Sequence, residues 1–362
     1  MQNLNDTSIL DSREQISKLD KSNVLGSIEA LADQVKHAWE ATRSIKFSSS
    51  GKIYNVVVSG MGGSALGADV FKHLFADQLP EPFEIYNGYN LPAYVDDETL
   101  VVLSSYSGTT EETLSCAQQA KEMGAQVAVI TAGGKLAELA KEENYPTYLI
   151  NPVHNPSGQP RMAIGYALIG LIGLLVKTGL VKITDQEIEE VVTTIIRTAE
   201  KLGPETKQEE NQAKILAYTC LERRPILVAS EFLVGATHVA TNQFNENAKI
   251  FADFKVVPEL NHHLMEGLRF PASNTGTHVF LFFNSEFYQP RNQKRMKLTQ
   301  EIIEQNQIDT LAVKLQAGTK LTQTFELITI MAYANFYTAM LEGIDPSPIP
   351  FVDQFKEELR KE

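Results

Sequence analysis

The sequence predicts an α/β fold of two doubly wound halves with mainly parallel sheets. Three observations carry that prediction. Short β-branched runs end in glycine or serine, each is followed by a stretch at helical spacing, and the plan occurs in both halves of a 362-residue chain. Strands alternating with helices require right-handed crossovers, which cover both faces of the sheet. The length fits about two domains of ordinary size.

Taken in order, residues 1–50 form a helical lead-in, because "VLGSIEALADQVKHAWEATRSI" places apolar and charged residues at the spacing of one amphipathic helix. "YNVVVSG", from Tyr54 to Gly60, is the first strand, with a helix from about Ala65. "TLVVLSSYSG" from Thr99 repeats the plan with the helix "TEETLSCAQQAKEMG", and "AQVAVITAGG" and "YPTYLINP" add two strands. A helical stretch from Ala163 to about Leu202 closes a first domain, 51–202. Its apolar part, Met162 to Val176, is shorter than the roughly 20 residues of a membrane span, so it reads as a buried helix. "GPETKQEEN" reads as a linker, and a second domain, 211–362, resumes with the strands "RPILVAS", "THVFLFF" and "TLAVKL", the helix "ELITIMAYANFYTAMLEGI" and a C-terminal helix after the rigid connector "IDPSPIP".

Composition removes several function classes. A formal net charge of -13 without any Lys/Arg run argues against a nucleic-acid partner. Cys116 and Cys220 have no metal or redox spacing and read as buried thiols of a reducing compartment. The N-terminus is polar and acidic, with no charged region leading into an apolar one, so the expected location is the cytoplasm. His37, His73, His154, His238 and His278 show no ligand spacing, and neither a metal nor a cofactor is expected.

Two loops suggest anion binding. "SGMGGSALGAD" follows a strand and opens a helix, where bare backbone N–H groups and the helix dipole favour a negative charge. Gly60, Gly62 and Ala65 also satisfy a dinucleotide fingerprint, with Glu84 as the acid that would hold a ribose. The second loop, "SSYSGTTEET", separates these readings. It brings Ser104, Ser105, Ser107, Thr109 and Thr110 to the end of a neighbouring strand, where hydroxyls converge on one small anion. A dinucleotide site has no need of it; plain helix capping is the competing use of these residues.

A third segment, "ATNQFNENAKIFADFKVVPELNHHLMEG" from Ala240 to Gly267, gathers amides, a carboxylate, a lysine and two adjacent histidines. The pair "GMGGS" and "SYSGTTEET" resembles the sugar isomerase (SIS) domain. "NENAK…PELNH", with the ending "IDPSPIPFVDQFKEEL", resembles the bifunctional phosphoglucose/phosphomannose isomerase family, and the similarity runs from about Val56 to the C-terminus. The resemblance implies two SIS-type, flavodoxin-like subdomains and a cofactor-free aldose-ketose isomerase acting on a hexose 6-phosphate through a cis-enediol. It also implies a homodimer whose histidine crosses to the partner's site.

Moving a carbonyl between C1 and C2 needs a carboxylate base, an acid for ring opening, and positive charge or dipoles facing the enediolate. By resemblance Glu246 is the base. His262 is the ring-opening acid, a task suited to imidazole, with His263 as its competitor. Arg161 of "SGQPRMAIG" faces the enediolate, and Lys356 helps at the ring oxygen. Ser64, Ser105, Ser107 and Thr110, with the backbone of Gly62 and Gly63, hold the phosphate. Ile349 stands where the family has a threonine that makes room for the mannose epimer, so glucose 6-phosphate is the expected preference. Competing readings are an amino-sugar phosphate isomerase, a non-catalytic sugar-phosphate sensor and, last, a dehydrogenase.

Overall fold

The computed structural model describes residues 7–47 and 51–361. The first sheet holds β1 (Asn55–Gly60), β2 (Phe83–Tyr86), β3 (Thr99–Ser105), β4 (Gln126–Thr131) and β5 (Thr147–Leu149), in the spatial order β2-β1-β3-β4-β5. The second holds β6 (Arg224–Ser230), β7 (Asp253–Val257), β8 (His278–Asn284) and β9 (Asp309–Lys314), in the order β7-β6-β8-β9. Every pairing is parallel. In each sheet the opening strand has its successor on one side and the next strand on the other. The order therefore reverses at β1/β3 and at β6/β8, and such switch points are where open α/β sheets leave a crevice.

The central strands are buried along almost their whole length, which is why their apolar runs are legible. β2 and β7 lie at sheet edges and are only partly buried, and the apolar pattern does not mark either as a strand. Two helical expectations need correction. The stretch 163–202 is two helices, Ile164–Thr178 and Asp185–Glu200. Gly179 ends the first in a left-handed conformation, and a Thr184/Glu187 capping box starts the second. The amphipathic pattern of the lead-in is likewise divided, into Val24–Glu29 and Leu31–Arg43.

Neither the lead-in nor the polar segment 203–211 hangs free. Gln34 donates to the carbonyl of Met162 at 2.9 Å, and Trp39 donates to Asp185 at 2.7 Å. The buried ammonium of Lys214 binds Asp11 at 2.6 Å and the carbonyls of Pro204 and Thr206 at 2.9 and 2.7 Å, pinning both stretches to one point. The 22-residue helix Lys320–Leu341 is buried over nearly its full length in a core drawn from both halves. Among the described residues no helix is long and apolar enough to cross a membrane.

The helix after β1, Gly63–Leu74, crosses Val234–Gln243 from the second half. Gly235 permits the crossing, since a Cβ there would lie 2.4 Å from Val70 Cα and 2.5 Å from the Asp69 carbonyl oxygen. Beside it His238 Nδ1 meets Asp69 Oδ2 at 2.8 Å. Gly235→Ala should force these two helices apart and destabilise the protein by about 1–3 kcal/mol. An unchanged melting temperature would show that the crossing is not close-packed.

Candidate active site

The two anion loops lie side by side because β1 and β3 are neighbours in register, with Gly60 opposite Ser104. Side-chain hydroxyls lock them together. Ser104 Oγ donates to the Ser64 carbonyl at 2.8 Å, and Tyr106 N donates to Ser64 Oγ at 2.9 Å. Gly62 has φ +49, a conformation that favours glycine, and a Cβ on Gly63 would sit 3.1 Å from Arg161 N. Ser105 Oγ is 2.8 Å from Thr110 Oγ1, and Ser107 Oγ is 3.1 Å from Thr109 Oγ1. Thr110 occupies the N-cap of the helix Glu111–Glu122 without a side-chain capping bond, so capping does not account for its hydroxyl. Glu84 accepts from the Tyr94 hydroxyl at 2.7 Å on β2, an edge strand.

Arg161 is buried, 2% exposed, and all five of its N–H groups have protein acceptors. Nε donates to Asn247 Oδ1 at 2.5 Å. Nη1 serves Gln159 Oε1 at 2.9 Å and Glu246 Oε2 at 3.3 Å, and Nη2 serves the carbonyls of Pro346 and Ser347 at 3.0 and 2.7 Å. Burial pulls the guanidinium below its ordinary pKa, and Glu246 opposes that shift. A further path joins it to the serine loop: Asn155 Nδ2 donates to the Gln159 carbonyl and to the Tyr106 hydroxyl.

Glu246 sits in the turn Phe244–Ala248, a single π-helical turn that continues the helix Val234–Gln243. Such turns expose side chains a regular helix would not, and they cluster at functional sites. Burial raises the Glu246 carboxyl above the ordinary range, while Arg161, Lys249 and Lys356 act to lower it. A carboxylate of this kind takes a proton more readily than a solvated one. Lys356 lies on the exposed last helix, Pro350–Leu359, close enough for its charge to act on Glu246. Ile349 is that helix's N-cap residue and supplies no capping bond.

His262 is elsewhere. Glu246 precedes β7 and His262 follows it, and five strand residues at about 3.3 Å each put the strand between them over a span of about 16 Å. His262 is exposed, and among the described residues no hydrogen bond or ion pair joins it to Arg161 or Glu246. His263 Nε2 is paired with Glu259 at 2.9 Å.

Of the frame that holds these side chains, Gln243 and Asn247 lie in the polar segment from Ala240 to Gly267, where the motif gives them no role, and Asn335 lies outside it. Asn247 Nδ2 donates to Asn335 Oδ1 at 2.8 Å, Asn335 Nδ2 to Gln243 Oε1 at 3.1 Å, and Gln243 Nε2 to the Arg161 carbonyl at 3.1 Å, closing a buried ring. A lone Asn in the apolar stretch "MAYANFYTAML" is the available signal. The turn Gly133–Gly134 after β4 also buttresses the serine loop, because a Cβ on Gly108 would overlap the Gly133 carbonyl.

A parallel α/β sheet with two phosphate-type loops at its switch point defines a SIS-domain protein, and the SIS domain family matches residues 50–170. The bacterial phospho-glucose isomerase C-terminal SIS domain matches residues 209–359. A bifunctional phosphoglucose/phosphomannose isomerase of Caldicellulosiruptor bescii is 35% identical, covering 92% of this chain and 98% of its own. The protein of the same name from Aquifex aeolicus is 30% identical, covering 84% and 90%. Among solved structures, a hypothetical protein of Thermus thermophilus aligns with a TM-score of 0.74 at 17% identity, over 98% of this chain and 94% of its own. Tagatose-6-phosphate ketose/aldose isomerase of Escherichia coli aligns at 0.63 and 14% identity, over 95% of each chain. The chain belongs to the bifunctional phosphoglucose/phosphomannose isomerase family.

Arg161→Lys tests the frame. An ammonium has three donors in place of a planar fork of five, so carbonyls and Asn247 are left without partners. The variant should lose about 3–5 kcal/mol of stability despite keeping the charge, read as a lowered denaturation midpoint.

Proposed function

We propose that the protein interconverts glucose 6-phosphate and fructose 6-phosphate through a cis-enediol, with mannose 6-phosphate as the weaker aldose. The observation that carries this reading is a half-buried carboxylate, Glu246, held 3.3 Å from Arg161, whose own backbone lies against Gly63 of the first anion loop. The phosphate is held by Ser64, Ser105, Ser107 and Thr110 with the backbone of Gly62 and Gly63. Glu246 takes the proton from C2 of the open-chain aldose, electron density moves onto O1, a proton passes from O2 to O1 to make the C2 oxygen a carbonyl, and the same carboxyl returns its proton to C1. Arg161 stabilises the enediolate by charge, and Lys356 approaches the ring oxygen. Turnover should persist in excess EDTA, and fructose 6-phosphate converted in D₂O should yield aldose with deuterium at C2. Product wholly free of solvent label would rule out the enediol route.

The homodimer belongs to the same proposal. Glu246 precedes β7 and His262 follows it, which supports a site that draws its histidine from a second copy. The last helix supports this, since none of its residues is buried and Phe351 and Phe355 are 85% and 64% exposed. Glu246→Gln and His262→Ala should each lose about 10²- to 10⁴-fold in kcat. Exchanging subunits between the two variants should then restore turnover, because one site of each mixed dimer is intact. A mixture as inactive as its components would place both residues in one chain's site, or neither.

Substrate choice follows from Ile349. Ile349→Thr adds a hydroxyl at the helix N-cap and removes apolar bulk. The ratio of kcat/KM for mannose 6-phosphate to that for glucose 6-phosphate should rise about tenfold; equal ratios in parent and variant would remove residue 349 from selectivity.

A further inference from the structure

Lys249 has no part in the chemistry set out above, yet this exposed residue turns its ammonium onto two carbonyls beside Glu246. Nζ is 2.5 Å from the Glu246 carbonyl oxygen and 3.0 Å from that of Pro346. The first belongs to the π-helical turn that presents the base. The second belongs to the connector from the long buried helix to Pro350–Leu359, and it is also held by Arg161. The lysine has φ +57, the left-handed conformation at the C-cap of that turn, which glycine adopts more freely.

We propose that Lys249 is a positioning residue for the isomerisation, one ammonium tying the base-bearing turn to the connector that carries the last helix. The inference rests on the isomerase reading. It divides labour between two cations: buried Arg161 holds the Glu246 carboxylate and the connector from inside, and Lys249 holds the Glu246 carbonyl and the same connector from the more exposed side. The charged groups facing Lys249 are Arg161, Glu246 and Asp345. Partial burial and repulsion by Arg161 push its pKa down to about 8, while Asp345 and Glu246 oppose the shift. Raising the pH through that value discharges the ammonium, removing a donor and a positive charge beside Glu246. Activity is therefore expected to have an alkaline limb set by Lys249.

Three readouts test this. Lys249→Met should lower kcat about 10- to 100-fold with KM changed much less, and the acid limb of its pH profile should move to higher pH, because Glu246 loses a neighbouring cation. Lys249→Arg, permanently charged, should abolish the alkaline limb near pH 8. Independently of turnover, ¹³C NMR of labelled glutamate carboxyls should show Glu246 titrating at higher pH in Lys249→Met than in the parent. An unchanged Glu246 titration overturns the proposal, as does an alkaline limb that survives in Lys249→Arg. A parent inactive on hexose 6-phosphates would overturn the isomerase reading alone, with the carboxyl titration still deciding the role of Lys249.

Discussion

A buried guanidinium is tolerated only where every donor finds an acceptor, and Arg161 meets that condition with groups from three stretches of chain. Gln159 is local, Glu246 and Asn247 come from the π-helical turn, and Pro346 and Ser347 from the connector to the last helix. None can leave without exposing a buried polar atom to no partner. The side chains of Asn247, Asn335 and Gln243 then return to the Arg161 carbonyl, so main chain and side chain are fixed together. Glu246 inherits its place from that arrangement.

The two sheets share a switch-point plan but have different fates there. At β1/β3 the loops after the strands remain accessible and bear hydroxyls. At β6/β8 the corresponding space is occupied by Tyr288, 2% exposed, which accepts from Ser230 N at 3.2 Å and donates to the Phe283 carbonyl at 3.0 Å. A large ring with both hydrogen-bonding capacities satisfied leaves no vacancy for a ligand. One half therefore keeps its hydroxyl-bearing loops partly exposed, and the other contributes side chains from positions away from its own switch point. Glu246 precedes β7, at the opposite end of the strand from the place where ligands usually meet such sheets.

What can be read along the chain is whatever rests on local pattern. β1, β3, β4, β6 and β8 announce themselves because burial on both faces demands apolar runs, whereas β2 and β7, partly buried at sheet edges, do not; β9 is also a mostly exposed edge strand and is read from its alternating pattern alone. The anion loops are legible because strand, small residues and helix follow one another within about a dozen positions. The break at Gly179 is a local signal too, overridden by the length of the apolar pattern around it.

The sequence by itself determined the layered α/β class, the loops that present hydroxyls and backbone N–H groups, and the residue types suited to proton transfer. It did so because strand and helix periodicity, turn chemistry and loop composition act over a few residues. The tertiary structure alone decided that Arg161 is enclosed with all its donors engaged, that Lys249 bridges Glu246 to Pro346, and that β7 separates His262 from Glu246. Those outcomes depend on groups more than 80 positions apart competing for the same donors, and on which end of a strand each loop occupies. Only packing of the two halves against each other sets those relations.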